Sequence, residues 1–153
     1  MKRTYYLAYG SNLNVNQMLR RCPDAVKIGA SVIEDWKLTF RRGFLTIEPA
    51  DGASVPVGVW AVSESDAASL DVYEGYPRFY VKRNFCLTVN GKSIRAMAYV
   101  MSDGYPVSMP SRTYCAVCAE GYADFDFDLA PLLTALEEAK DACKEAGNRR
   151  RAL

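Results

Sequence analysis

"YLAYGSNLN", residues 6–14, changes character halfway along. Up to Tyr9 it is apolar and aromatic, as a buried strand requires; "RTYYLAY" (3–9) reads as that strand. Gly10, Ser11 and Asn12 are small and rich in hydrogen-bond donors. Asn14 then reads as a helix cap, with Gln17 at the capping-box position and Leu13 placed to staple against Met18. The stretch therefore predicts a strand, a tight loop and a helix. Backbone N–H groups at such a helix start are unpaired and carry partial positive charge, which suits a carboxylate or phosphate. Gly10 would let a ligand approach the backbone. The same residues also describe an ordinary strand-to-helix turn, and the stretch alone leaves both readings open.

Working outward, "WKLTF" (36–40) alternates like a strand within residues 25–42, and "VPVGVWAV" (55–62) is β-branched and apolar. "SESDAASLDVYEG" (63–75) is a short helix: Ser63 caps it, Asp66 completes a capping box and Gly75 closes it. Two strands, "FYVKRNFCLTV" and "SIRAMAYVM", flank a hairpin turn at Asn90-Gly91. The last third predicts helices over roughly 111–122 and 129–146, with Pro131 in a first turn. Many strands and a few helices, without βαβ alternation, give an α+β class with a mixed, partly closed sheet. The 153 residues read as a single domain, with a basic tail frayed from about 147.

Composition excludes several functions. A net charge of +1 argues against a nucleic-acid-binding surface. No apolar run approaches the roughly 20 residues of a membrane span. The charged start "MKR" precedes too few apolar residues for an export signal, so the five cysteines are expected to be reduced thiols in a cytoplasm. The chain has no histidine. That removes histidine-based triads and His-ligated metal sites, and leaves acid–base work to a carboxylate, tyrosine, lysine or thiol.

Glu74 is the candidate carboxylate. It falls in the last turn of the 63–74 helix, where the negative end of the helix dipole opposes its charge, and Tyr73, Tyr76 and Tyr80 are placed to crowd it. A raised pKa there would suit a group that both takes and gives a proton; an exposed glutamate at a helix end is the alternative. Cys115 and Cys118 share a helix face in "YCAVCAEG" and read as small packing residues, since no partner ligands accompany them. Asp124, Asp126 and Asp128 alternate with phenylalanines and read as a capping loop rather than a calcium loop. Glu48 reads as a surface residue beside a turn.

"YGSNL" (9–13), "GFLTIEP" (43–49), "VPVGVWAVSESDAASLDVYEGYP" (55–77) and "PSRTYCAVCAEG" (110–121), in this order, resemble the gamma-glutamylcyclotransferase family over most of residues 5–122. The resemblance implies a small mixed β-barrel flanked by helices. It implies a loop of Tyr9, Gly10, Ser11 and Asn12 that holds the substrate, with Tyr114 as a further contact and Glu74 as the acid–base catalyst. It implies conversion of a gamma-glutamyl amide, of an amino acid or an amine, to 5-oxoproline and a free amine, with no cofactor or metal. The partner is then a small gamma-glutamyl molecule, neither nucleic acid nor membrane; the oligomeric state stays open. A non-catalytic small-acid-binding module of the same fold is the alternative. With no long insertion beside the loop, discrimination is expected at the gamma-glutamyl end and to be loose at the leaving group.

Overall fold

The structure is a computed structural model and describes residues 2–152. The first strand, β1 (Arg3–Ala8), runs into a single 3-10 turn at Ser11–Leu13 and then helix α1 (Val15–Arg21). Two long strands follow, β2 (Val26–Arg41) and β3 (Phe44–Ser63), then helix α2 (Glu64–Glu74). Strands β4 (Tyr80–Val89) and β5 (Lys92–Met101) precede helices α3 (Arg112–Asp124) and α4 (Ala130–Ala152).

The sheet has five strands in the order β2-β3-β1-β5-β4. β1 is central, antiparallel to β3 and parallel to β5. The expected α+β class and mixed sheet are both present, and the barrel is approximate. The outer strands β2 and β4 approach each other, and side chains rather than a backbone ladder bridge the seam. Ser31 Oγ donates to the Thr88 carbonyl at 2.5 Å, Asn90 Nδ2 donates to the Ile28 carbonyl at 3.0 Å, and Trp36 and Phe85 meet edge to face at 5.2 Å.

Two hairpins supply four of the strands. The β4–β5 turn is the expected Asn90-Gly91, both at positive φ (51° and 76°). The β2–β3 turn at Arg42-Gly43 has the same signature (52° and 81°) and is hidden in the sequence, because arginine seldom adopts that conformation. Its consequence is a strand much longer than "VPVGVWAV". β3 begins at Phe44, and Glu48 lies within it, opposite Lys37 and paired with Arg41 at 3.2 Å, not beside a turn. Of the apparent breakers, Pro49 pairs with Trp36, whereas Asp51 and Gly52 fall where the ladder shifts register: Gly52 lies at φ 79° and its N–H donates to Asp35 Oδ1 at 3.0 Å, an irregularity within the strand and not its end.

The caps follow local chemistry. Ser63 and Asp66 form the full capping box of α2, and Gly75 ends the helix in the left-handed region at φ 63°. Asn14 accepts from Gln17 N at 3.1 Å, as expected. The second half of that box is not made: the Asn14 N–H already donates to the Ser11 carbonyl, and Gln17 Oε1 accepts from Arg21 at 2.6 Å. Asp124 accepts from the first N–H of α1, and Asp128 from Ala130 N, so two of the three aspartates do cap helices. Helix α4 continues to Ala152 through the residues expected to fray; Leu153 lies outside the described residues. The core is packed around Trp60, Leu7, Phe40 and Tyr122. Helix α3 is held against the 3-10 turn by Gly121, where a Cβ would stand 2.5 Å from Asn14 N. The turn that leaves β1 is thereby braced on both sides, by the sheet and by α3.

Candidate active site

One cavity of about 210 Å³ opens where β1, the 3-10 turn and the end of α2 converge. Its floor is the loop Tyr9-Gly10-Ser11-Asn12. The N–H groups of Gly10, Ser11 and Asn12 find no protein acceptor among the described residues, which leaves a row of donors at the rim of a helical turn. Asn12 is 2% exposed and fully engaged. Its Nδ2 donates to Tyr6 Oη at 3.0 Å, its Oδ1 accepts from Arg21 at 2.6 Å, and its carbonyl accepts from Trp60 Nε1 at 3.0 Å. Asn12 therefore fixes the loop, and what it can still offer a ligand is its backbone N–H. Tyr9 is tied to the Tyr99 carbonyl at 2.6 Å.

The walls are aromatic. Tyr114 reaches over the loop from the first turn of α3: a methyl group at Gly10 would sit 3.1 Å from its hydroxyl. Glycine at position 10 leaves that space open. The Leu45 N–H donates to Tyr114 Oη at 3.1 Å, and Tyr80 donates to the Leu45 carbonyl at 2.8 Å, so two tyrosines hold one residue of β3. Tyr73 Oη lies 3.0 Å from Ser11 Oγ, joining α2 to the loop, and the Arg21 guanidinium stacks on its ring at 3.7 Å.

Glu74, the last residue of α2, lines the same cavity as the loop. Its carboxylate makes no hydrogen bond or ion pair among the described residues. Burial pushes its pKa from 4.5 to about 7, and the Arg21 charge opposes that rise. The dipole argument made from the sequence acts in the same direction, but lost hydration is the larger cause. The phenols of Tyr6, Tyr9, Tyr80 and Tyr99 line the cavity with it, and all four are raised mainly by their own burial. A carboxyl whose pKa is raised toward neutrality therefore shares one cavity, ringed by phenols, with a row of N–H donors. That arrangement can hold an anionic group at one end and shuttle a proton at the other.

The family model described as "Gamma-glutamyl cyclotransferase, AIG2-like" matches residues 6–116. The chain belongs to this family. The Bos taurus gamma-glutamylcyclotransferase is 33% identical over 129 residues, covering 76% of this chain and 68% of that protein. The Mus musculus protein of the same name is 32% identical over the same shares. A solved structure called gamma-glutamyl cyclotransferase superposes with a TM-score of 0.77 at 26% identity, covering 91% of this chain and 87% of that one. The family assignment thus rests on both sequence and backbone.

Within this cyclotransferase fold all six residues singled out in the sequence line one cavity, although Tyr9 and Tyr114 are far apart in the chain. Cys115 and Cys118 are free thiols outside it, and burial raises Cys118 to about 12. Sequence reasoning did not find Tyr6, Tyr99, Phe44 or Arg21. Tyr6 carried a signal, since a tyrosine three residues before the loop on a strand is placed to face it. Arg21 carried a weaker one, four residues after Gln17 on the same helix face. Tyr99 and Phe44 reach the cavity through strand pairing alone.

Proposed function

We propose that the protein cyclises a gamma-glutamyl amide to 5-oxoproline and releases the amine, with Glu74 as general acid and base. The observation that carries this is the Glu74 carboxyl, without a partner among the described residues and raised to about 7, in the cavity that the Gly10–Asn12 donors also line. A gamma-glutamyl amide contains its own nucleophile. Its alpha-amino nitrogen attacks the gamma-carbonyl carbon, a C–N bond closes a five-membered lactam, and the electron pair moves to the carbonyl oxygen. Glu74 takes a proton from the attacking nitrogen and gives it to the leaving nitrogen as the old C–N bond breaks. The loop amides hold the alpha-carboxylate, the developing oxyanion, or both. Bending the substrate into the ring-closing shape supplies up to ~7–11 kcal/mol at the ideal limit. No protein nucleophile is needed, which fits a chain without histidine.

Glu74→Gln keeps shape and loses proton transfer. It should lower kcat by at least ~10²–10⁴-fold, read as 5-oxoproline release, while circular dichroism stays unchanged. Wild-type rates in that variant would remove Glu74 from the mechanism. The chemistry has a second control: acetylating the substrate's alpha-amino group should stop turnover, and so should replacing glutamyl by aspartyl, which would demand a four-membered ring. Turnover of the acetylated compound would mean amide hydrolysis instead.

A further inference from the structure

The cavity is not equally apolar around its mouth. One side is Tyr73, 43% exposed, tied back to Ser11 and covered by Arg21. The other side is the tip of the β2–β3 hairpin. Phe44 lines the cavity there, 41% exposed, with its ring 5.9 Å from Phe79 and 5.2 Å from Tyr114, each edge to face. Phe79 also lines the cavity and meets Tyr105 at 5.2 Å. The tip is fixed: Arg42 N donates to the Pro106 carbonyl at 3.1 Å, and Gly43 N to Ser108 Oγ at 2.8 Å. The Arg42 guanidinium lies over Phe79 and Tyr105, 5.2 Å from each ring, and has no carboxylate partner among the described residues. By contrast Arg41 is committed to Glu48, and Arg21 to Asn12 and Gln17.

We propose that Phe44, Phe79 and Arg42 form a leaving-group shelf that selects gamma-glutamyl amino acids with a large apolar, preferably aromatic, side chain and a free carboxylate. This rests on the cyclisation proposed above, with the gamma-glutamyl group on the 9–12 loop. The amide nitrogen then points toward the mouth, because the interior is closed by buried Tyr6, Tyr9 and Tyr80. Whatever is attached to that nitrogen leaves past exposed aromatic carbon on the hairpin side. Apolar leaving groups bury surface against Phe44 and Phe79. A carboxylate on the same leaving group meets Arg42, whose guanidinium has no carboxylate partner among the described residues. The loose leaving-group preference expected from the sequence becomes a definite one: the shelf is a pinned hairpin turn rather than an insertion.

Three substrates separate these contributions: gamma-glutamyl-phenylalanine, gamma-glutamyl-glycine and gamma-glutamyl-phenethylamine, the last keeping the ring and lacking the carboxylate. For the wild type, kcat/KM should favour the phenylalanine compound over the glycine compound by ~10–200-fold. It should favour it over phenethylamine by up to about fivefold, as for an exposed ion pair. Phe44→Ala should shrink the first ratio and Arg42→Met the second, each leaving the other ratio standing. Equal rates for the three compounds, or variants that lower all three alike, overturn the shelf. Titrating the same compounds into Glu74→Gln reads the shelf without turnover. The same ranking of Kd is expected there, and equal affinities overturn the proposal. Ranked binding with no 5-oxoproline from wild-type protein would instead overturn the cyclisation and leave the shelf intact.

Discussion

At the end of α2 the Glu74 carboxyl loses hydration and gains no protein partner among the described residues, so its ionisation is unfavourable in the folded chain. Below pH 4.5 the folded and unfolded chains both keep the proton; between 4.5 and about 7 only the folded chain does. Stability attributable to this group is therefore full at low pH and lost as pH rises through 7. Replacing Glu74 by Gln should stabilise the fold at about pH 8 by up to roughly 3 kcal/mol and change little at about pH 4. Chemical denaturation at the two pH values measures this; a variant less stable at the higher pH would contradict it. Activity should run the other way, with kcat/KM climbing as the carboxylate forms and an inflection near 7. Arg21 holds that value down. Arg21→Met should move the inflection to higher pH, a shift that loosening of Asn12 alone would not produce. A pH profile of kcat/KM for both proteins tests it.

Among the elements, α2 is the most legible in the sequence and β3 the least. Ser63, Asp66 and Gly75 mark both ends of α2 by capping chemistry, and that is why Glu74 could be placed at its last turn from residues alone. The Arg42-Gly43 turn gave no comparable sign, and with it the extent of β3 and the position of Phe44 were lost. Tyr99 was illegible for a different reason: its place depends on β5 lying parallel to β1, a long-range pairing that no local pattern encodes. The role of α3 is likewise invisible before the fold is seen. Its Gly121 allows backbone contact with Leu13 and Asn14. Gly121→Ala should therefore push α3 off the 3-10 turn. It should lower stability by ~1–3 kcal/mol and depress kcat/KM beyond what an equally destabilising substitution far from the loop causes. Thermal melts paired with 5-oxoproline assays would show it, and unchanged kinetics would mean the loop does not depend on that brace.

For the whole molecule, two local hairpins are joined through β1, and the seam between β2 and β4 is bridged by a few side chains. Protection from hydrogen exchange should follow. Amides of β1 should open only with the entire fold, while the outer edges of β2 and β4 should exchange through smaller openings. Native-state exchange in graded denaturant measures the difference, and equal protection across the sheet would show the seam to be as firm as a ladder. The α+β class was readable from the succession of strands and helices. Partial closure of the sheet was expected with it, but the contacts that make the seam were not legible, because Ser31, Asn90 and Trp36 meet partners more than forty residues away.

The central place of β1 has a consequence for synthesis. β1 is made before either of its neighbours, and the second of them, β5, ends only at Met101. A nascent chain thus carries its central strand with one side unpaired until two-thirds of these residues exist, which is the condition under which strands pair with the wrong chain. The β2–β3 hairpin, complete by Ser63, covers one edge early, and the other stays open while α2 and β4 emerge. Ribosome pausing between Ser63 and Met101 should therefore be where this protein is most exposed to misassembly and most in need of a chaperone.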